Sequence, residues 1–412
     1  MANKTIFRSN RSKILTILSI IVLGIALLGS LNIIDTVAWD DALEPILGVR
    51  IFMTVPRPPE AVDSGSAPAD LISDEAGIPV RESSSEGDWW AVMFTTPGED
   101  TNYIANQLVA QINSAQTSIH IASFEFDLEE VANALIAAKG RGVEVLWVTD
   151  DEYGIEADED EGNHLFEQME KAGIKVKDDQ RGGLMHNKFW IFDRKIVWTG
   201  STNITQNGTL LNNNNVILLE SRDVAEMYER EFEEMWSDDQ FGITSPSTVD
   251  QQNVKIDDSS VLVRFAAEDD VATLLAELLG RAQSEIRFMA FSFTDDDMGG
   301  SILQQAKNGV SVAGIFEQRG AMTEYSEFPF LYCNGLSVRL DGNPRTMHHK
   351  VLIIDRQIVV TGSYNFSVNA DTSNDENVIM IDNSQIAAEY LKEFDRLWAE
   401  SQLPDQDEVN CP

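Results

Sequence analysis

The chain carries the same nineteen-residue pattern twice, and this duplication constrains its fold more than any other feature. Residues 185–203 read MHNKFWIFDRKIVWTGSTN and residues 347–365 read MHHKVLIIDRQIVVTGSYN. From the first histidine of each segment onward, 11 of 18 positions are identical. Two more segments match in the same order: SIHIASFEF at 118–126 with EIRFMAFSF at 285–293, and AGIKVK at 172–177 with NGLSVR at 334–339. The chain is therefore expected to fold as two copies of one unit.

Each copy alternates short apolar runs with helical stretches, which is typical of an α/β fold. In the first copy AVMFTT, IHIASFEF and VEVLWV read as strands, with TNYIANQLVAQINSAQ and LEEVANALIAAKGRG as helices between them. The strands are near-continuous apolar runs, as expected where helices cover both faces of a sheet. We therefore predict two tandem α/β/α domains, residues 89–240 and 255–403, packed about a pseudo-twofold axis.

Within the duplicated segment, each copy has the form HxKxxxxD followed by GSxN. Histidine and lysine two residues apart on a strand project from the same face of the sheet. An imidazole beside an ammonium group suits a phosphate site better than a core, because an unpaired buried charge is costly. The serine hydroxyl and asparagine amide that follow can donate to the remaining phosphate oxygens. The candidate residues are His186, Lys188, Asp193, Ser201 and Asn203 in the first copy, and His348, Lys350, Asp355, Ser363 and Asn365 in the second.

Two such half-sites, facing each other across the axis, would place two imidazoles on opposite sides of one phosphorus atom. One imidazole can attack as nucleophile while the other protonates the leaving oxygen. The two lysines would neutralise the phosphoryl oxygens, which is the task of Mg²⁺ in other enzymes. The acidic residues show no compact metal-ligand spacing near either motif, so we predict that no metal or other cofactor is required. Because one chain supplies both half-sites, we expect a monomer.

The duplicated HxKxxxxD with trailing GSxN resembles the signature of the phospholipase D superfamily, over residues 90–401. The resemblance implies a covalent phosphohistidine intermediate that is hydrolysed by water or captured by an alcohol. It also implies that the first histidine, His186, is the nucleophile and the second, His348, is the general acid. The superfamily contains lipid hydrolases, nucleases and phosphatidyl transferases, so the resemblance leaves the substrate open.

The two copies differ at the position thirteen residues after the motif serine. The second copy has Glu376 there, where the superfamily often places a carboxylate that orients a histidine, whereas the first copy has Asn214. A carboxylate makes an imidazole more basic and an amide only orients it, so the two histidines are predicted to be inequivalent. The sequence leaves open which histidine Glu376 serves. It also leaves open whether Asp193 and Asp355 orient catalytic groups or instead bind backbone groups and a neighbouring arginine.

The three remaining histidines are assigned no catalytic role. By register, His349 points away from the site and is expected to pack or face solvent. His120 lies within an apolar strand and His164 follows an acidic loop, so both are expected to be structural. The loop, residues 150–161, has eight acids in twelve residues, a composition typical of a solvated surface. A gate that discourages polyanionic substrates is a second hypothesis for it.

The amino-terminal end is predicted to insert into a membrane. Residues 14–34 are uncharged and follow four basic residues, which is typical of a signal anchor within residues 1–38. A cleaved signal peptide is the alternative. The basic flank would stay in the cytoplasm, so the catalytic domains would be extracytoplasmic, or secreted after cleavage. Residues 39–88 are predicted to be a flexible linker and 404–412 an acidic tail.

The charge balance bears on the substrate. Beyond residue 88 the chain has 56 acidic and 23 basic residues, so nucleic acid is disfavoured as a partner. We therefore predict a phosphodiesterase that acts on phospholipid head groups and meets the membrane through its amino-terminal helix. A nuclease, favoured by the compact repeats, and a cardiolipin synthase-like transferase, disfavoured by a single amino-terminal span, are the alternatives. Cys333 and Cys411 fit either an extracytoplasmic disulfide or two unrelated thiols.

Overall fold

Two sheets flanked by helices make up the part of the chain that the structure describes. The structure is a computed structural model, which describes residues 80–82, 89–98, 102–247, 253–405, 409 and 411. All of these lie within one compact unit, residues 66–412. Each sheet belongs to one copy of the duplication, which confirms the predicted α/β class and the two tandem repeats.

A seven-stranded sheet forms the centre of the first repeat. Strands are numbered along the chain, and β1 (Val80–Glu82) belongs to the other sheet. The strands of this sheet are β2 (Trp90–Phe94), β3 (Ser118–Ser123), β4 (Glu144–Thr149), β5 (Lys175–Asp178), β6 (Lys188–Phe192), β7 (Ile196–Gly200) and β8 (Asn215–Glu220). They lie in the order β2-β8-β7-β6-β3-β4-β5, with β3, β4 and β5 parallel. The motif strand β6 is therefore central, and all five of its residues are buried.

A nine-stranded sheet forms the centre of the second repeat. Its strands are β1 (Val80–Glu82), β9 (Asn253–Ile256), β10 (Ser259–Ala266), β11 (Glu285–Ala290), β12 (Ser311–Phe316), β13 (Ser337–Leu340), β14 (Lys350–Ile354), β15 (Ile358–Gly362) and β16 (Glu376–Asp382). They lie in the order β1-β9-β10-β16-β15-β14-β11-β12-β13. Apart from β1 and β9, this order repeats that of the first sheet strand for strand, as the duplication predicts.

Strand β1 corrects the linker prediction locally, because it lies within residues 39–88. It pairs in parallel with β9, from Val80 opposite Asn253 to Glu82 opposite Lys255. The open edge of a sheet offers unpaired backbone groups, so a short extended stretch can be added there. The predicted membrane segment, residues 14–34, lies outside the described residues. Among the residues that are described, no helix is both long enough and apolar enough to cross a bilayer.

Ten α-helices flank the sheets within the described ranges. They are α1 (Tyr103–Ser114), α2 (Glu129–Gly140), α3 (Ala157–Asp160), α4 (Leu165–Lys171), α5 (Arg222–Ser237), α6 (Val271–Gly280), α7 (Asp296–Lys307), α8 (Glu327–Cys333), α9 (Val368–Thr372) and α10 (Ser384–Glu400). Helices α5 and α10 close the two repeats and carry the apolar stripes seen in the sequence, which are buried here as core.

A shared apolar core joins the two repeats. Phe189 of β6, Tyr228 of α5 and Phe265 of β10 meet there, with ring centroids 5.0 to 6.3 Å apart. Two further cores lie on the outer faces, one in each repeat. Burial of each large side chain contributes about 1.5–3 kcal/mol, so the inner faces stabilise each other. The repeats are thus held together at the strands that carry the two motifs.

A disulfide joins Cys333, at the end of α8, to Cys411, with Cα atoms 5.4 Å apart. This decides between the two alternatives that the sequence left open for the cysteines. Val409, two residues before Cys411, is buried against the second repeat. The end of the chain, predicted as an acidic tail, is therefore attached to the repeat at these two residues.

Candidate active site

The two motif histidines are each fixed by the backbone of the other repeat. The amide of His186 donates to the carbonyl oxygen of Asp375 at 3.0 Å, and the amide of His348 donates to that of Asn213 at 2.8 Å. Isolated parallel bridges, Met185 with Asp375 and Asn213 with Met347, bring these segments together. These contacts therefore place both histidines at the junction of the repeats.

The two motif lysines are arranged in the same way in both halves. Each ammonium group donates to the carbonyl oxygen of its own motif histidine, at 2.8 Å for Lys188 and 3.0 Å for Lys350. Each also lies 4.8 Å from the centroid of an aromatic ring, Phe124 or Phe291, that packs edge-on against the same histidine. Both lysines are buried. A phosphate anion bound between two buried ammonium groups would compensate their charges.

The orienting partners of the two histidines cross between the repeats. Nδ1 of His186 lies 2.8 Å from Oε2 of Glu376, and Nδ1 of His348 lies 3.0 Å from Oδ1 of Asn214 and 3.1 Å from the carbonyl oxygen of Ser201. These acceptors fix the proton on Nδ1 of each ring and leave Nε2 for the substrate. Glu376 thus serves His186, which answers the question that the sequence left open.

Burial keeps both imidazoles neutral in the free protein. It lowers the pKa of His186 well below its usual value, and the charges of Lys188 and Lys350 lower it further. Burial also lowers the pKa of His348, with additional contributions from Lys350, Lys188 and His186. Each half-site is thus perturbed by charges from the other half-site. Because such effects weaken with distance, they fit an arrangement in which the four side chains lie near one another at the junction.

The pKa values of the charged groups around the histidines are shifted so that their neutral forms are favoured. Burial lowers the pKa of Lys188 to about 8, although Glu376, Glu125 and Asp150 oppose that shift. Burial and the charge of Lys188 lower the pKa of Lys350 as well. Burial raises the pKa of Glu376 to about 7, while Lys188 acts to lower it. An anion bound between the lysines would restore their usual protonation.

The serines of the two GSxN segments brace the orienting residues. Oγ of Ser201 donates to Oδ1 of Asn214 at 2.8 Å and accepts the amide of Asn215 at 3.1 Å. Ser363 accepts the corresponding amide of Asn377 at 3.0 Å and hydrogen bonds Glu376. These hydroxyls are therefore placed to hold the residues that pair with the histidines. The sequence predicted them as donors to phosphate.

The two asparagines of the GSxN segments retain free acceptor capacity. Nδ2 of Asn203 donates to Oε2 of Glu125 at 2.5 Å. The buried Oδ1 atoms of Asn203 and Asn365 have no hydrogen-bond partner among the described residues. Neither asparagine binds a motif histidine in the contacts described. Their predicted role as phosphate donors remains a prediction.

The two motif aspartates lie outside the site, which corrects their prediction as catalytic residues. Carboxylate oxygens of Asp193 accept the backbone amides of residues 116–118, and those of Asp355 accept the amides of residues 283–285, at 2.6 to 3.2 Å. Both aspartates have positive φ, at 52° and 54°, in the turns after β6 and β14. Their carboxylates therefore tie these turns to the starts of β3 and β11, which is the structural alternative.

The remaining buried histidines are structural, as predicted. Nδ1 of His349 lies 3.0 Å from Nδ2 of Asn215, and its Nε2 lies 3.3 Å from Glu393. His120 pairs with Glu229 at 2.8 Å and stacks on a neighbouring phenylalanine ring. All of these contacts lie in the core and not in the phosphate pocket.

One acidic residue of the site was missed by the sequence reasoning. Glu125 is half-buried, binds Asn203, and raises the pKa of both Lys188 and Lys350. The signal was present, because the matched segments of the two copies place Ser292 opposite Glu125. An acid found in one copy alone marks a second asymmetry between the half-sites.

Replacing Glu125 with serine, its counterpart, is expected to move the alkaline limb of kcat/KM to lower pH. Glu125 favours the charged form of Lys188, so its loss lowers the pKa of that lysine and the lysine deprotonates earlier. At a pH above the Lys188 pKa of both the variant and the unsubstituted protein, we expect kcat/KM of the variant to be about three- to tenfold lower. Glu129→Ser, at an exposed acid of α2, is the matched control. An unchanged limb would contradict the role of Glu125.

Three carboxylates beside the site lie close enough together to share a cation. They are Asp150, Asp151 and Asp179. Each carboxylate accepts a backbone amide: Asp150 that of Met185 at 3.1 Å, Asp151 that of Glu152 at 2.8 Å and Asp179 that of Asp151 at 3.1 Å. Oδ2 of Asp179 also forms an ion pair with Nε of Arg181 at 3.2 Å. We therefore assign the trio to positioning the segment that leads into β6.

Comparison with known families places the chain among proteins of this architecture. A sequence model of the family described as "Cardiolipin synthase, PLD-like domain" matches residues 108–236 and 275–398, one stretch in each repeat. The chain belongs to this phospholipase D-like family. The resemblance identified from the duplicated motif is thereby confirmed, and each matched stretch of this chain contains one of the half-sites described above.

Each of the similar individual proteins named here matches only about a third of this chain. The mitochondrial cardiolipin hydrolase of Xenopus tropicalis is 31% identical over 142 residues, 34% of this chain and 65% of that protein. The phospholipase D of Rickettsia bellii is 28% identical over 152 residues, 37% of this chain and 76% of that protein. The match covers 65% of the length of the Xenopus tropicalis cardiolipin hydrolase, 55% of that of Chlamydomonas reinhardtii and 60% of that of Xenopus laevis. The chain therefore spans less than two thirds of each of these relatives.

A solved structure shares the fold over both repeats. The phosphatidylserine synthase of Haemophilus influenzae Rd KW20 superposes with a TM-score of 0.57 at 15% sequence identity. The likeness covers 76% of this chain and 87% of that chain. At this identity the likeness concerns the fold alone, and the chemistry is argued from the site.

Proposed function

We propose that the protein is a phospholipase D-type phosphodiesterase that hydrolyses phospholipid head-group diesters through a phosphohistidine intermediate, without a metal. The observation that carries the proposal is the unequal pairing of two imidazoles in one pocket. His186 has a carboxylate, Glu376, on Nδ1, whereas His348 has the amide of Asn214. The carboxylate stabilises the positive charge that develops on an attacking imidazole, so His186 is assigned as nucleophile.

In the first step, Nε2 of His186 attacks phosphorus and the bond from phosphorus to the head-group oxygen breaks. His348 transfers its Nε2 proton to that oxygen, so the head group leaves as an alcohol and not as an alkoxide. The phosphatidyl group stays bonded to Nε2 of His186. Lys188 and Lys350 neutralise the phosphoryl oxygens during this step.

In the second step, water attacks the same phosphorus atom and the bond to His186 breaks. The neutral His348 takes one proton from the attacking water, so phosphatidic acid leaves and His348 regains its starting proton. One residue thus acts as acid and then as base, as microscopic reversibility requires. An alcohol in place of water would give phosphatidyl transfer, the alternative that the family description favours.

The first step needs a protonated His348, and this leads to a prediction about substrate binding. Burial and the two lysines lower the pKa of His348, so the free protein holds it neutral at pH 7. A bound phosphodiester anion raises that pKa, and we expect His348 to contribute about one proton to the uptake on binding. Titration calorimetry with a phosphonate diester analogue, in buffers of different ionisation enthalpy, measures the uptake. It should fall by about one proton in His348→Asn, and equal uptake in both proteins would contradict the assignment.

The charge of the protein and the names of its relatives support a lipid substrate. Two similar proteins are called phospholipase D and cardiolipin hydrolase. The net charge of −38 opposes the approach of long polyanions, so a nuclease activity is the less favoured alternative. The pocket is built from both repeats of one chain, which supports the prediction of a monomer.

We also propose an extracytoplasmic location, with the uncharged residues 14–34 as membrane anchor. The disulfide between Cys333 and Cys411 supports this location, because disulfides persist in oxidising compartments. Cleavage of the amino-terminal segment, with secretion, is the alternative. Protease protection of the full chain in intact cells and spheroplasts distinguishes the two sides of the membrane.

The proposal is tested by incubating the full chain with substrates of each class in the presence of EDTA. Vesicles of phosphatidylcholine, phosphatidylglycerol and cardiolipin are compared with single-stranded DNA, with and without added glycerol. We expect release of a lipid head group that resists the chelator. Cleavage of DNA alone would favour the nuclease, and phosphatidylglycerol formed with glycerol would favour the transferase. Loss of all activity in EDTA would contradict the metal-free mechanism.

A further inference from the structure

Arg181 connects the two repeats directly beside the proposed nucleophile. Its guanidinium donates to the carbonyl oxygen of Ser373 at 2.8 Å and to the carboxylate of Asp375, both in the second repeat. It also donates to the carbonyl oxygen of Leu184 at 3.2 Å and pairs with Asp179, both in the first repeat. The Arg181 side chain is 23% exposed and that of Asp375 only 1%. A mostly buried ion pair therefore lies across the junction.

The residues that Arg181 holds are directly joined to the groups that hold His186. Asp375 precedes Glu376 in the chain, and its own carbonyl oxygen accepts the amide of His186 at 3.0 Å. The carboxylate of Glu376 lies 2.8 Å from Nδ1 of the same histidine. Movement of Asp375 would therefore disturb both the backbone and the side-chain contact of His186.

The opposite half-site contains the same contact with neutral groups. Asn343 lies 162 residues after Arg181, the offset that relates the two motifs. Its Nδ2 donates to the carbonyl oxygen of Leu211 at 3.0 Å and to Oδ1 of Asn213 at 2.6 Å. Asn213 precedes Asn214, and its carbonyl oxygen accepts the amide of His348. The two contacts are equivalent in position and differ in charge.

We propose that Arg181 is a positioning residue for the reaction, holding Glu376 against Nδ1 of His186 by binding Ser373 and Asp375. The inference rests on the proposed function, because it gives His186 the role of nucleophile. It deepens the asymmetry of the site: arginine, aspartate and glutamate support the nucleophile, and three asparagines support the general acid. An ion pair restrains its partners more strongly than an amide pair, since charge-assisted hydrogen bonds are shorter and stronger.

The test replaces the charged contact with the neutral one that the chain already contains. Arg181→Asn removes the guanidinium, and Arg181→Asn with Asp375→Asn copies Asn343 and Asn213. Asn343→Ala, which removes the neutral contact, is the matched control. Asp179 and Asp375, whose pKa values burial raises to about 7 and about 6, can each take up a proton when Arg181 is absent, so we expect Arg181→Asn to fold. In the double variant, Asp375→Asn removes the carboxylate that would otherwise be buried and unpaired. The double variant is therefore used for the measurement if the single variant is unstable.

The readout is the rate of adduct formation on the full chain with an aryl phosphodiester, a substrate that needs little help from the general acid. We expect Arg181→Asn to slow this step about 10- to 100-fold with KM changed less than about threefold, and the double variant to regain part of the loss. The ¹⁵N shifts of the His186 ring, one of five histidines, should report a changed Nδ1 hydrogen bond. Asn343→Ala should slow adduct formation less than Arg181→Asn does, because the contact it removes supports the general acid, which an aryl leaving group hardly needs.

Three outcomes separate this inference from the proposed function. If the unsubstituted protein forms no adduct, the proposed function fails. If it forms one and Arg181→Asn forms it within twofold of that rate, the positioning role fails. If Asn343→Ala slows adduct formation as much as Arg181→Asn does, or the double variant is no faster than the single, both contacts only stabilise the fold and the inference is overturned.

Discussion

The His186→Ala variant is expected to lose at least about 10⁴-fold in kcat/KM on any phosphodiester, and to form no phosphoenzyme. The imidazole supplies the atom that bonds to phosphorus, and no neighbouring group can replace it. In the proposed mechanism His348 lies on the leaving-group side of phosphorus, and Lys188 and Lys350 donate to the carbonyl oxygens of their own motif histidines. Release of nitrophenol from an aryl phosphodiester measures the loss.

The control for this prediction is His349→Asn, which gives the second motif the HNK sequence of the first. His349 is buried outside the pocket, and Glu393 keeps its second partner, Arg396, at 2.7 Å. We expect its kcat/KM to stay within about threefold of the starting value, because Asn187 fills the matching position of the first motif and its Oδ1 accepts Nδ2 of Asn377 at 3.0 Å. If His186→Ala keeps more than about one hundredth of the activity, His186 is not the nucleophile.

The His348→Asn variant is expected to separate the two chemical steps. Hydrolysis of a phospholipid should fall about 10³-fold, because an alkyl head-group oxygen leaves poorly without a proton. An aryl oxygen needs no proton, so adduct formation on His186 should slow less than about tenfold. Hydrolysis of the adduct lacks its base, and the adduct should accumulate. Rapid mixing followed by intact-mass measurement detects it.

The control for His348→Asn is His186→Ala, which should lose activity on both the phospholipid and the aryl phosphodiester. Equal losses on lipid and aryl substrates in His348→Asn, with no accumulated adduct, would mean that His348 is not an acid and base. The same result would give His348 a role in binding the substrate instead.

The repeated sheets and the four motif side chains could be predicted from the sequence because their signals are local and duplicated. Strand alternation places His186 and Lys188 on one face, and the second copy repeats the spacing at His348 and Lys350. The copies then have to meet, because each apolar inner face needs a partner. The structure confirms this arrangement at the level of strand order and shared core.

The partners of those side chains could not be predicted, because they depend on how the repeats dock. Glu376 is 190 residues from His186, and nothing in its own repeat shows that it crosses the junction. Arg181 lies outside every matched motif, and its importance comes only from the contact with Asp375. Asp193 is the reverse case: it belongs to the motif, yet its turn directs the carboxylate to backbone amides and away from the pocket.

The most direct test of the account is the position of the covalent phosphorus in the unsubstituted protein. The full chain is mixed with phospholipid or an aryl phosphodiester, quenched within milliseconds at alkaline pH, and mapped by peptide mass spectrometry. We expect an adduct on His186 and none on His348. An adduct on His348, or no adduct during rapid turnover, would contradict a nucleophile oriented by Glu376 from the other repeat.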